Sequence, residues 1–174
     1  MRYSRIFFFW GTVISPILTL GQASSENSSK EKYSPIYLKT TFDPKSDLDS
    51  NIVIPKLKTA EVGRILQKML VADQRYRDSL MTKTLRQEEI YYFNRLIIRN
   101  DKTNQALLSK IIAQYGWPAD HQLGEGASDA AWLVLWHASR DYKKRYFNLV
   151  EHAYNKGHVS KAHYTTLKTK LSGN

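Results

Sequence analysis

Gln114-Tyr115-Gly116-Trp117-Pro118, followed by Ala127-Ser-Asp-Ala-Ala-Trp-Leu-Val-Leu-Trp-His137, are the two stretches that decide how this chain folds. A glycine at the end of a helical pattern, with a proline two residues on, is a helix stop: glycine tolerates positive φ and proline cannot continue the hydrogen-bond ladder. The second stretch is apolar at nearly every position, so no face of it suits water, and it reads as a central buried helix that ends in one histidine. Its small residues Ala127, Ala130 and Ala131 leave room for a neighbouring helix to approach.

Working outward, apolar positions recur with helical period over about 59–82, 85–99, 102–115, 127–138, 141–156 and 160–171. The punctuation agrees with this reading. Asp101 is placed to cap the third segment, Gly116 to end it, Gly157 to end the fifth and Ser160 to cap the sixth. Alternating strand patterns are absent, so the expected fold is all-α: a single helical bundle of five to six helices over residues 58–174. At 174 residues and 42% hydrophobic the chain can bury one core. It has no cysteine, so neither a disulfide nor a thiolate metal site is available.

Residues 1–23 read as an export signal. Arg2 and Arg5 precede an apolar run from Ile6 to Leu20, and Gly21-Gln22-Ala23 is a small-x-small cleavage site. The run is shorter than the ~20 residues a membrane span needs and is interrupted by Gly11, Ser15 and Pro16. The expected location is therefore secreted or periplasmic. Residues 24–57 read as an extended or disordered arm, Ser-rich and then punctuated by Pro35, Pro44 and Pro55, from which Ile52-Val53-Ile54 can dock as a short extended piece. Deleting such an arm is expected to cost little stability. Its acids and bases balance and Arg2 and Arg5 of the leader carry two of the chain's +10, so the remaining +8 resides in the helical part. That excess favours an anionic partner, or simply supplies a solvated face; Lys143-Lys144-Arg145 is its densest run, and no nucleic-acid motif accompanies it.

Helical phase brings the reading to chemistry. At ~100° per residue, Ile65, Leu66, Met69, Tyr76 and Leu80 form one stripe, with Asp73 at its middle and Arg77 at its edge. Leu107, Leu108, Ile111, Ile112 and Tyr115 form another, with Asn104 near its centre and Asp101 toward its edge. His137 lies between the directions of Leu133 and Val134. Burying an unpaired carboxylate costs several kcal/mol, so these inward groups are expected to meet one another, a water or a ligand. Glu89 is a reserve member, since the first turn of a helix favours an acid in any case. The structural alternative is an i,i+4 pair of Asp73 and Arg77, a bridging Asn104 and a satisfied core histidine.

At these same residues the chain resembles a bacterial, often exported, domain-of-unknown-function family. The resemblance is carried by D-Q-x-Y-R (Asp73 to Arg77), D-x-x-N (Asp101 to Asn104), Gly116-Trp117-Pro118, Leu123-Gly124 and A-A-W-L-V-x-x-H-A (Ala130 to Ala138), and covers about residues 60–170. It implies a helical domain and no particular activity. Members usually carry aspartate where Ser139 stands, an Asp-Arg pair near Thr169-Lys170, and a Tyr-Gly-Thr-Gln-like tail not found here. These departures favour binding over catalysis.

No Gly-rich phosphate loop, G-x-S-x-G elbow or H-E-x-x-H is present. His152, His158 and His163 have no carboxylate at ligand spacing and read as surface residues, so no metal and no cofactor is expected. Three functions remain open. One is a binding module whose pocket, lined by Asp73, Arg77, Asn104, Trp117 and His137, takes a small polar or anionic ligand. Another is a hydrolase with His137 as general base, Asp73 or Asp101 orienting it, and Arg77 or Asn104 stabilising developing charge. The third is an envelope interaction or inhibitor protein with a structural polar core. Expressed with its own leader in a bacterium with an outer membrane, the protein should be recovered from the periplasm beginning at Ser24; N-terminal sequencing that returns Met1 from membrane fractions would show an anchor instead.

Overall fold

The computed structural model describes residues 45–173, and within them the chain is helical without a strand. The expected leader and the first part of the expected arm lie outside the described residues. Six helices follow a short 3-10 turn at Ile54–Lys56: α1 Thr59–Thr82, α2 Gln87–Tyr115, α3 Asp120–Leu123, α4 Ala127–His137, α5 Arg140–Asn155 and α6 Lys161–Ser172. No helix among the described residues is long and apolar enough to cross a membrane.

Two segments expected as separate helices, 85–99 and 102–115, are one helix, α2. Asp101 therefore caps nothing. It sits mid-helix, its carboxylate turned to Arg77 of α1, and backbone hydrogen bonds run uninterrupted past it. The true start of α2 is a capping box, in which the Glu89 carboxylate accepts from the Arg86 amide at 2.9 Å, so Glu89 works at the helix end and has no part in the polar cluster. The other stops behave as the sequence implies. Gly116 (φ 72°) ends α2 with a left-handed residue, and Ser160 Oγ accepts from the His163 amide to open α6.

α4 is the buried centre. It packs on α1 and α2 through Ala130, Ala131, Val134 and Leu135, which meet Leu66 and Met69 of α1 and Leu107, Leu108 and Ile111 of α2 in one core. α5 and α6 pair with each other and close the core with Val150, Ala153 and Leu167. A close approach of α1 and α3 explains Gly63: a Cβ there would run into the carbonyl oxygen of Leu123.

The segment before α1 is part of this body. Ile54 is fully buried (0% exposed) and packs in the core, with Leu48, Ile52 and Leu57 against it. Ser46 Oγ and the Asp47 amide both donate to Asn100 Oδ1, at 3.0 and 2.9 Å, and Lys110 Nζ donates to the carbonyls of Ser50 and Ile52. The packed domain thus begins before residue 58, and 45–57 is not a free arm. Apolar residues at 48, 52, 54 and 57 outweigh the local prolines, because Pro55 sits in the first turn of the 3-10 helix, where no amide is needed. Ile54→Ala should accordingly lower unfolding stability by ~2–4 kcal/mol, whereas Val53→Ala, at a 51% exposed neighbour, should stay within ~0.5 kcal/mol. Urea denaturation of both variants checks the contrast.

Candidate polar site at the α1, α2 and α4 contact

Asp73 is the centre of the site, 1% exposed in the middle of the apolar face of α1. Three side chains answer its carboxylate, and a fourth, Asp101, answers one of them. Gln74 Nε2 donates to Oδ2 at 2.6 Å. Arg77, one turn on, lies 3.3 Å from Oδ1 through Nη1, and the same nitrogen donates to the Asp73 carbonyl at 2.6 Å. Arg77 Nη2 reaches across to α2 and donates to both oxygens of Asp101 at 2.8 Å. From the last turn of α4, His137 Nε2 comes within 3.5 Å of Asp73 Oδ2.

Two asparagines of α2 fix the helix spacing beneath this group. Asn100 Nδ2 donates to the Ala72 carbonyl and Asn104 Nδ2 to the Met69 carbonyl, both at 3.2 Å. These bonds to mid-helix carbonyls hold α2 on α1 at the level of Asp73. Asn100, which also receives Ser46 and Asp47, was not legible as a site residue; the signal was present in its i,i+4 relation to Asn104. Two buried acceptors remain without a hydrogen bond among the described residues, Asp73 Oδ1 and Asn104 Oδ1.

Sequence phase therefore gathers Asp73, Arg77, Asp101 and His137 as expected and brings Asn104 against the turn just before Asp73. Trp117 does not join them. Its indole, 6% exposed, donates through Nε1 to Ser128 Oγ at 2.9 Å, and Ser128 Oγ in turn donates to the His158 carbonyl. Ser128 and His137 are at opposite ends of α4, ~13 Å apart along the axis at 1.5 Å per residue. The Gly116-Trp117-Pro118 step thus anchors the entry to α4: Asp120 accepts from the Ser128 amide, and the loop closes on the turn before α6. The histidines expected at the surface are likewise dispersed, His158 beside His121 and His163 stacked on Trp132. Among the described residues no three His, Asp or Glu side chains are grouped as metal ligands.

Burial sets the protonation of the site. It raises the Asp73 carboxyl to about 6 against the lowering pull of Arg77 and the Gln74 hydrogen bond, and it raises Asp101 as well. Burial also lowers His137 to about 4, helped by the positive charges of Arg77 and Lys143. At neutral pH the imidazole is uncharged, so its 3.5 Å approach to Asp73 is a long polar contact and not an ion pair. The order of the two groups is inverted from that in water: near pH 5 the carboxyl holds a proton and the imidazole does not.

No family model matches the chain, and neither a curated protein nor a solved structure matches it. The family resemblance rests on the motif series itself.

The inverted pair has opposite linkages to folding. Asp73, raised from 3.8, contributes stability that is complete below 3.8 and lost as pH rises through about 6; His137, lowered from 6.5, contributes stability that is complete above 6.5 and lost as pH falls through about 4. Their slopes offset each other across this window, with Asp101 adding to the Asp73 side. Asp73→Asn should therefore lose up to ~3 kcal/mol on acidification from 6.5 to 4, and His137→Gln should lose up to ~3 kcal/mol as pH rises from 4 to 6. Denaturant unfolding of the two variants across that range, beside a nearly level wild type, measures both slopes.

Proposed function

We propose that this chain is a helical binding module whose ligand is a small polar molecule carrying hydrogen-bond donors, received at the Asp73, Arg77, Asp101, Asn104 and His137 cluster. The observation that carries this is two buried acceptors that no hydrogen bond satisfies, Asn104 Oδ1 and Asp73 Oδ1, the latter held only by the 3.3 Å ion pair to Arg77. A buried acceptor left without a hydrogen bond, as Asn104 Oδ1 is, costs ~1–3 kcal/mol, a cost that a bound donor removes. The rim of the cluster reaches solvent: His137 is 22% exposed, and Arg77 and Asp101 are similarly accessible. Charge favours a donor over an anion here. Two carboxylates face one guanidinium and an uncharged imidazole, leaving the cluster about one unit negative at neutral pH. An exported location, read from the leader, belongs to the same proposal and suits a protein that meets extracellular solutes.

A second reading, hydrolytic chemistry, draws on the same inversion. A carboxyl near 6 beside an uncharged imidazole sets a proton donor next to a proton acceptor near pH 5. Asp101 has no part in orienting His137, being taken by Arg77.

Two measurements, one on each of two variants, separate a ligand site from a purely structural core. For a site open to water, His137→Ala should cost about 1 kcal/mol or less, because solvent replaces the lost partner. In the same reading, NMR titration with ethanolamine or glycerol should shift the His137 imidazole resonances of wild type and leave those of Asp73→Asn unmoved. A loss above ~3 kcal/mol with no shift from either probe would make His137 a fold-specifying core residue.

A further inference from the structure

Lys143 was legible as part of a solvated basic run, yet it is 7% exposed. Its ammonium is held at the C-terminal end of α4, donating to the Ala138 carbonyl at 2.5 Å, where the helix dipole is negative. Burial lowers its pKa, and Lys170 lowers it further. Trp136 binds both lysines: Nζ of Lys143 and Nζ of Lys170 each lie 5.8 Å from its ring centroid. Arg140, at the start of α5, donates to the Leu171 and Gly173 carbonyls at 2.7 Å and so holds the end of α6 beside them.

These three cations face an open groove of about 720 Å³ between α4, α5 and α6. Thr165 and Thr169, one turn apart on α6, supply hydroxyls on its wall, and no acidic side chain lines it. Residues 138–173 contain eight Lys and Arg against two acids; Asp141 does not line the groove, and Glu151 accepts from the Tyr164 hydroxyl. Like charges held together with only helix carbonyls and an indole face to offset them are an incomplete arrangement that a dianion completes.

We infer that this groove is a second ligand site, distinct from the Asp73 cluster, and that it takes a small organic phosphate monoester. The phosphoryl group sits among Lys143, Lys170 and Arg140, and the organic body lies along Trp136 and the threonine hydroxyls. A dianion matches three converging cations better than a single carboxylate does, and the cation–π contacts hold both ammoniums in place before the ligand arrives.

Glucose 6-phosphate is the probe, titrated calorimetrically into the intact protein at low salt, with glucose and inorganic phosphate in parallel. Wild type should bind glucose 6-phosphate with Kd below ~1 mM, more tightly than inorganic phosphate, and should not bind glucose. Lys170→Glu, at an exposed position, should keep the wild-type melting temperature and weaken binding at least ~10-fold. Lys144→Glu makes the same charge change outside the groove and should leave affinity within ~2-fold. Asp73→Asn should leave it unchanged, which separates this site from the one proposed above. Equal weakening by Lys144→Glu would reduce the effect to net charge. No preference over glucose, or capture by phosphatidylglycerol vesicles without glucose 6-phosphate binding, would overturn the assignment.

Discussion

A carboxylate buried on an apolar helix face is the constraint around which this fold is arranged. Asp73 occupies a position where leucine or methionine would be expected, and a charge there has to be answered from several directions. Arg77 answers from the next turn and is itself steadied by Asp101 on α2. His137 closes the arrangement from α4, so three helices that share the core also share one polar contact. Apolar packing supplies most of the cohesion but is indifferent to small slips of one helix along another. The Asp73 group, with Asn100 and Asn104 locked to two α1 carbonyls, allows a single register.

The C-terminal end of α4 divides two electrostatic regions. His137 turns toward the acids of α1 and α2, while Trp136, ~100° around the helix, turns toward the lysines of α5 and α6. The division is not insulating, since the charge of Lys143 reaches His137 and helps keep it neutral. One short helix therefore presents an acid-rich cluster on one side and a basic groove on the other.

What sequence alone could show followed from period and burial. The largely apolar α4 and the inward phases of Asp73, Asn104 and His137 were legible because an 11- to 29-residue helix repeats its direction often enough to define a face. The continuity of α2 was not. Asp101 is a sound cap residue, and only contacts from α1, distant in sequence, give it and Asn100 mid-helix partners. Trp117 was misread for a similar reason: a loop aromatic next to glycine and proline can fold toward either end of the following helix, and the hydroxyl that decides, Ser128, looks ordinary in sequence. The groove was invisible because its residues come from the polar faces of α5 and α6 and from the end of α4, and nothing in one helix's pattern says that another helix's lysine will stand opposite.

The helical hairpin of α1 and α2 extends beyond the rest of the bundle. Between positions 74 and 95 no side chain is fully buried; the overhang is held by Tyr76 stacked on Phe93 and by Asp47 reaching Arg75 and Tyr76. Amides there are protected by local helix alone, so their exchange with solvent proceeds through small openings that leave the core intact. Asp73, Arg77 and Asp101 lie at the neck, where packed bundle gives way to overhang. Fraying that travels down α1 reaches Arg77 and Asp73 before it reaches Ala72 and Met69, the next buried apolar residues of that helix. The neck is thus the point at which motion of the free end becomes a change in how well one carboxylate is shielded.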